Sequence, residues 1–194
     1  MILGRRNVLP ERVDAARSPL SVALPRIALV LGGARSGKSR YAEILVESGG
    51  GGTYLATGEP LDAEMAERIR RHRARRGEIW TTLEEPLDIA RALSAAAGGR
   101  PLLVDCLTLW LSNLIAAGRD VERETAALID ALAQREGPTV FVANEVGLGI
   151  VPENALARIF RDHAGRLNQR IAARADRVVF MAAGLPLTLK DVRP

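Results

Sequence analysis

Apolar positions along this chain fall in short runs broken by glycine, proline and acidic residues, and from residue 26 onward those runs alternate with stretches of helical period. Ile27-Ala28-Leu29-Val30-Leu31 has the length and unbroken apolar character of a strand buried on both faces, and Gly32-Gly33 stops it. Residues 38–48 follow as a helix with Ile44 and Leu45 inward, ended by the glycine run at residues 49–52. A second strand is predicted at residues 53–57. Asp62 caps a helix running to about Arg76, a short strand follows at residues 79–83, and Pro86 opens a helix whose Leu87, Ala90 and Leu93 face a core. Leu102-Leu103-Val104 is a buried strand ending at Asp105, with an apolar helix over residues 107–116 directly after it. An amphipathic helix at 122–134, a strand at 140–143 ending at Asn144-Glu145, a Gly- and Pro-bearing loop at 146–152, a long helix at 154–174 and a strand at 178–181 complete the pattern. Residues 185–189 are expected to add an antiparallel edge strand. Strands alternating with helices in this way predict a largely parallel sheet with covering helices.

The 194 residues fit one domain, placed at residues 26–194, with residues 1–25 as a loosely ordered N-terminal extension. That extension holds Glu11 and Asp14 and no continuous apolar run, so no signal peptide is expected. A 47% hydrophobic content, 26% charged residues and 18 glycines exclude collagen-like, coiled-coil and disordered classes. The longest apolar stretches are strand-sized, far short of the roughly 20 residues a membrane helix needs, so no stable membrane insertion is expected. With Cys106 the one cysteine, an intramolecular disulfide and a multi-cysteine zinc site are excluded, and the cytoplasm is the expected compartment. The net charge of +4 suits nucleic acid, acidic lipid or a phosphate-rich substrate equally.

Candidate chemistry narrows this. Gly32-Gly33-Ala34-Arg35-Ser36-Gly37-Lys38-Ser39 matches G-x-x-x-x-G-K-[ST] in full, after a buried strand and before a helix, where such a loop must lie. Its glycines let successive N–H groups point inward, and the helix N-terminus adds partial positive charge at the same spot. Lys38 is placed to reach the β/γ-phosphates of a triphosphate, and the Ser39 hydroxyl to join the coordination of Mg2+. The bland alternative is a glycine-rich turn joining strand to helix. Asp105 has the placement of a Walker B carboxylate for the same metal; the plainer alternative is an N-cap for the helix that follows, and both roles are compatible. Asn144 and Glu145 end a further strand on the same edge, Glu145 being the weaker candidate for the metal.

The two histidines differ in setting. His72 lies in Arg68-Ile69-Arg70-Arg71-His72-Arg73-Ala74-Arg75-Arg76, and its spacing from Met65 and Ile69 puts all three on one helical face. The arginines disfavour a second cation, favour a neutral nucleophilic imidazole and can offset the charge of a phosphate brought to it. A solvated basic helix with a histidine at its buried edge is the plainer alternative. A nucleic-acid surface is a third, but the nearby aromatics, Tyr54 and Trp80, make no interleaved stacking platform. His163, inside a long helix, is expected to be structural.

Together these motifs resemble the bifunctional adenosylcobinamide kinase / adenosylcobinamide-phosphate guanylyltransferase family of cobalamin biosynthesis. The resemblance runs through the phosphate loop, Tyr54-Leu55-Ala56-Thr57-Gly58, the Arg68-to-Arg73 stretch, Leu103-Val104-Asp105-Cys106-Leu107-Thr108, Asn144-Glu145-Val146-Gly147-Leu148-Gly149-Ile150-Val151-Pro152-Glu153-Asn154 and Gly165-Arg166-Leu167-Asn168-Gln169-Arg170. It covers about residues 26 to 190. It implies a P-loop NTPase-type, three-layer α/β fold with a mostly parallel sheet, commonly assembled as a homotrimer. It also implies two reactions: phosphorylation of adenosylcobinamide by a nucleoside triphosphate, ATP or GTP, and transfer of GMP from GTP onto adenosylcobinamide phosphate through a guanylylated histidine, which maps onto His72. Nucleotide contacts map onto residues 32–39, Ala56, Thr57, Gly58, Arg73, Ala74, Arg75, Arg76, Glu84 and Asp105, with Ser39 and Asp105 for Mg2+. Family members vary at the arginine stretch and Glu84, and some carry two adjacent histidines where this chain has Arg71-His72. Nucleic acid is not an implied partner. Two other functions compete: a P-loop small-molecule kinase lacking the nucleotidyltransferase step, and a nucleic-acid-binding ATPase using the basic helix.

Overall fold

The computed structural model of the chain describes residues 24–60, 63, 67, 70, 73, 76–96 and 98–192. In order, the elements are β1 (Ile27–Gly32), α1 (Lys38–Glu47), β2 (Gly52–Ala56), β3 (Trp80–Glu84), α2 (Ile89–Ala95), β4 (Leu102–Asp105), α3 (Leu107–Ala116), α4 (Val121–Gln134), β5 (Thr139–Asn144), α5 (Ala155–Arg174), β6 (Arg177–Ala182) and β7 (Leu185–Asp191). The expected N-terminal extension lies almost wholly outside the described residues. So does most of the helix expected over 62–76, including His72, Met65 and Ile69; Ala63, Glu67, Arg70 and Arg73 are helical there.

The strands form one seven-stranded sheet in the order β3-β2-β4-β5-β1-β6-β7. Every pairing is parallel except β6 with β7, so the expected antiparallel edge strand is present. β1 is buried throughout, and its side chains alternate between two cores because successive Cβ atoms leave a strand on opposite faces. Ile27, Leu29 and Leu31 join the core built with α2 to α5, whereas Ala28 and Val30 join the one beneath α1 with Tyr54, Trp80 and Cys106. Helix, sheet and helix make the three layers of a P-loop NTPase-type α/β fold. The register pairs Gly32 with Asn144, and Asp105 with both Val142 and Ala56, so the carboxyl ends of β1, β5, β4 and β2 share one edge. That edge is where open parallel sheets bind ligands.

Two local expectations are corrected. The helix after Pro86 starts at Ile89, because the Glu85 carboxylate accepts from the Leu87 and Asp88 N–H groups (3.1 and 2.9 Å) and holds residues 85–88 in a turn. Leu87, Ala90 and Leu93 do face the core as expected, Leu93 within it and Leu87 and Ala90 half-buried against it, joined by buried Ile89 and Ala92. In α1 the inward stripe is Ala42, Glu43, Leu45 and Val46, and Ile44 is only half-buried.

Trp110 of α3 is the largest fully buried side chain, and its Nε1 donates to the Leu87 carbonyl at 2.7 Å. Trp110→Ala opens a cavity and strands that carbonyl, so denaturant unfolding should show a loss of about 3–5 kcal/mol. Trp110→Phe should lose less than half of that.

Candidate active site at the carboxyl ends of the strands

β1 ends where only glycine fits: a Cβ on Gly32 would lie 2.6 Å from both the Met181 carbonyl oxygen and Ser36 Oγ. Beyond it the chain curls, with Arg35 (φ 56) and Gly37 (φ 95) in left-handed conformations that turn the loop's amides into a concave nest. The loop is pinned from its neighbours: the Glu145 N–H donates to the Gly32 carbonyl at 3.1 Å, and the Gly184 N–H to the Ser36 carbonyl at 3.0 Å. Gly37 is the N-cap of α1 and offers no side-chain cap, so the helix's first amides are left for an anion. Lys38 is 5% exposed, and its Nζ donates to the Gly33 carbonyl at 2.9 Å. Ser36 Oγ is buried with no hydrogen-bond partner, a donor suited to a phosphate oxygen.

The facing wall comes from β2 and β4. Asp105 is half-buried, and its Oδ2 accepts a 2.7 Å hydrogen bond from the Tyr54 hydroxyl. Its alternative role as an N-cap is not found: the N-cap of α3 is Cys106, with no side-chain cap bond. Tyr54 is held above its ordinary titration range, first by burial and then by the Asp105 charge, so it remains a donor. Thr57 is fully buried; its hydroxyl donates to the Cys106 carbonyl and accepts from the Cys106 N–H, each at 2.8 Å. This clamp fixes the end of β2 against the end of β4; the Thr57 N–H donates to the Asp105 carbonyl at 3.2 Å and its carbonyl accepts from Asn113 Nδ2 at 2.8 Å, so the backbone of Thr57 serves the same clamp.

Burial, reinforced by Asp105, pushes the Cys106 thiol up to about 11 from an ordinary 9.0. The thiol's contribution to folding is therefore present below pH 9 and lost as pH rises through about 11. Near neutral pH the native protein should resist iodoacetamide and the unfolded chain should react fully, as mass spectrometry would show.

On β5, the Asn144 N–H donates to the Thr108 hydroxyl at 2.7 Å, and Asn144 Oδ1 is buried without a hydrogen-bond partner. The Glu145 carboxylate accepts from the Gly147 N–H and so closes its own loop. Arg73 pairs with Glu84 at the end of β3, bringing together two residues expected to contact nucleotide. Arg76 places its guanidinium carbon 3.7 Å from the centroid of the Tyr54 ring. His72, Ala74 and Arg75 lie outside the described residues. His163 is on α5, where Nδ1 sits 3.2 Å from Arg166 Nη2 and 3.6 Å from the Glu122 carboxylate, a link between α5 and α4 in keeping with a structural residue. The Ser39 hydroxyl and Asp105 carboxylate are hard oxygen donors of the kind Mg2+ takes, and among the described residues no cluster of three His, Cys, Asp or Glu offers a metal cage.

Sequence reasoning missed the hydrogen bond from Tyr54 to Asp105. The signal was there: a tyrosine in a buried strand must find a partner for its hydroxyl, and the acid ending the next strand is within reach.

Residues 28–189 match the family described as cobinamide kinase / cobinamide phosphate guanyltransferase. The chain is 52% identical to the bifunctional adenosylcobalamin biosynthesis protein CobP of Pseudomonas aeruginosa over 84% of its length and 96% of the relative's. It is 41% identical to CobU of Salmonella typhimurium over 84% of its length and 98% of that relative's. A solved Pyrococcus horikoshii protein, PH0250, shares the fold with a TM-score of 0.53 at 8% identity over 89% of both chains. A phosphate loop facing an acid-tipped strand is thus accompanied by sequence likeness along nearly the whole sheet, and the chain belongs to the cobinamide kinase / cobinamide phosphate guanyltransferase family.

Proposed function

We propose that this bifunctional transferase runs both of its reactions on one phosphate loop, with His72 as the covalent carrier in the second. The observation that carries this is the cradle itself: inward-turned amides, buried Lys38 and the orphaned Ser36 hydroxyl on one side, and Asp105 on the facing wall.

In the first reaction, the aminopropanol hydroxyl of adenosylcobinamide attacks the γ-phosphate of ATP or GTP, forming adenosylcobinamide phosphate and releasing the nucleoside diphosphate. Lys38 and the loop amides neutralise the charge on the transferring group, and little else is asked of the protein. Ser39 and Asp105 would hold Mg2+, which supplies charge neutralisation on the phosphates. In the second reaction, the His72 imidazole attacks the α-phosphate of GTP, a P–N bond forms and pyrophosphate leaves. The phosphate of adenosylcobinamide phosphate then attacks the same phosphorus, giving adenosylcobinamide-GDP and freeing the imidazole. Ala56, Thr57, Gly58, Arg73, Ala74, Arg75, Arg76 and Glu84 line the nucleotide in this account, with Arg73 oriented by its pairing to Glu84.

The enzyme is proposed to work in the cytoplasm as a homotrimer of one-domain subunits (residues 26–194), without nucleic acid. An apolar surface supports the assembly: Leu148 and Ile150 are 82% and 96% exposed, beside exposed Val151, Leu156 and Ile159. Sedimentation equilibrium tests it, with three chain masses expected and one contradicting it. No described helix is long and apolar enough to cross a membrane.

The position of label tests the chemistry. Label from the γ-phosphate should pass to adenosylcobinamide, and label from the α-phosphate of GTP should pass first to the protein and then to the corrinoid. Transfer of γ-label without any α-label on protein would reduce the enzyme to a kinase with a different second step.

A further inference from the structure

We propose that Tyr54 is a positioning residue that holds the Asp105 carboxylate ready for the metal. The proposal rests on the assignment of Asp105 to Mg2+ made above. The Tyr54 hydroxyl lies 2.7 Å from Asp105 Oδ2, while Tyr54 itself is 3% exposed. A half-buried carboxylate at the tip of a strand can rotate about two side-chain bonds, and a donor on Oδ2 fixes that rotation and leaves the other oxygen for a cation. Ordering the ligand before the ion arrives removes part of the entropy cost of binding it.

The tyrosine is well placed for this because its own ring is held from more than one side. Trp80 meets it edge-on, with centroids 6.0 Å apart and an interplanar angle of 79°, and Trp80 Nε1 donates to Glu47 of α1 at 3.3 Å. The guanidinium of Arg76 stacks over the ring at 3.7 Å. Nε and Nη1 of that arginine are buried without hydrogen-bond partners, so the aromatic face supplies their contact. The register adds to this: Tyr54 pairs with Leu103 and Ala56 with Asp105, so the phenol reaches along the strand direction to the carboxylate two residues on. One aromatic side chain thereby joins the metal carboxylate to the arginine segment that leads back to residue 72.

Tyr54→Phe tests this, since it keeps the ring, the Trp80 contact and the Arg76 stack and removes only the hydroxyl. Mn2+ binding to the complex with a non-hydrolysable GTP analogue, followed by electron paramagnetic resonance, should be weakened about tenfold, the size typical of losing an outer-shell partner. The Mg2+ concentration for half-maximal kinase rate should rise by a similar factor, with the rate at saturating Mg2+ within about twofold of wild type. Asp105→Asn should weaken Mn2+ binding at least as much, and Tyr54→Phe added to it should cause little further loss. Tyr54→Phe with wild-type Mn2+ affinity, beside a weakened Asp105→Asn, would overturn the positioning role alone. Unchanged Mn2+ affinity in Asp105→Asn would overturn the metal assignment beneath it.

Discussion

Lys38→Ala should lower both the kinase and the guanylyltransferase rate by on the order of a thousandfold, the several kcal/mol that one positioned charge is worth to a transition state. The lysine is buried, and its ammonium group rests on the Gly33 carbonyl inside the loop. If both reactions load their nucleotide on the same amides, as proposed, both should fall together. The measurement is a pair of steady-state assays on a variant whose circular dichroism matches wild type. A variant that loses one activity and keeps the other near the wild-type rate would mean two separate nucleotide sites.

His72→Ala should separate what Lys38→Ala leaves joined. Phosphoryl transfer to a hydroxyl requires no covalent intermediate, so kinase activity should persist within about tenfold, whereas GMP transfer should fall by on the order of a thousandfold or more. His163→Ala should change neither, since that imidazole sits beside Arg166 of its own helix and Glu122 of α4. Both rates are measured on one preparation, with adenosylcobinamide for the first and adenosylcobinamide phosphate for the second. Guanylyl transfer surviving in His72→Ala would place the nucleophile elsewhere.

The elements legible in the sequence are those whose pattern is local. β1, the phosphate loop and α1 could be read because an apolar run, a glycine spacing and a lysine lie within 20 residues of one another, and the helix at residues 107–116 falls where its apolar pattern put it. The helix after Pro86 began late because a single carboxylate, Glu85, took two amides that periodicity cannot see. Ile44 gave way to Glu43 on the inner face of α1, since hydrophobicity alone does not reveal a buried acid paired with Arg40 at 3.6 Å. Asp105 shows the same limit from the other side. A strand-ending acid before a helix is both a metal ligand and a cap on paper, and only the partner 51 residues away, Tyr54, shows which way the carboxylate turns. The clamp of Thr57 on Cys106 and the stack of Arg76 on Tyr54 were likewise beyond a one-dimensional pattern, because parallel strands bring distant segments side by side.

The shared-loop, covalent-histidine account is tested most directly by isolating the protein after incubation with GTP alone and then adding adenosylcobinamide phosphate. The account predicts one GMP on the His72 peptide, labile to acid, absent from Lys38→Ala, and transferred in full to the corrinoid on addition. A protein that carries no GMP, or carries it on a residue other than His72, or holds a His72 adduct that the corrinoid phosphate cannot discharge, would contradict it.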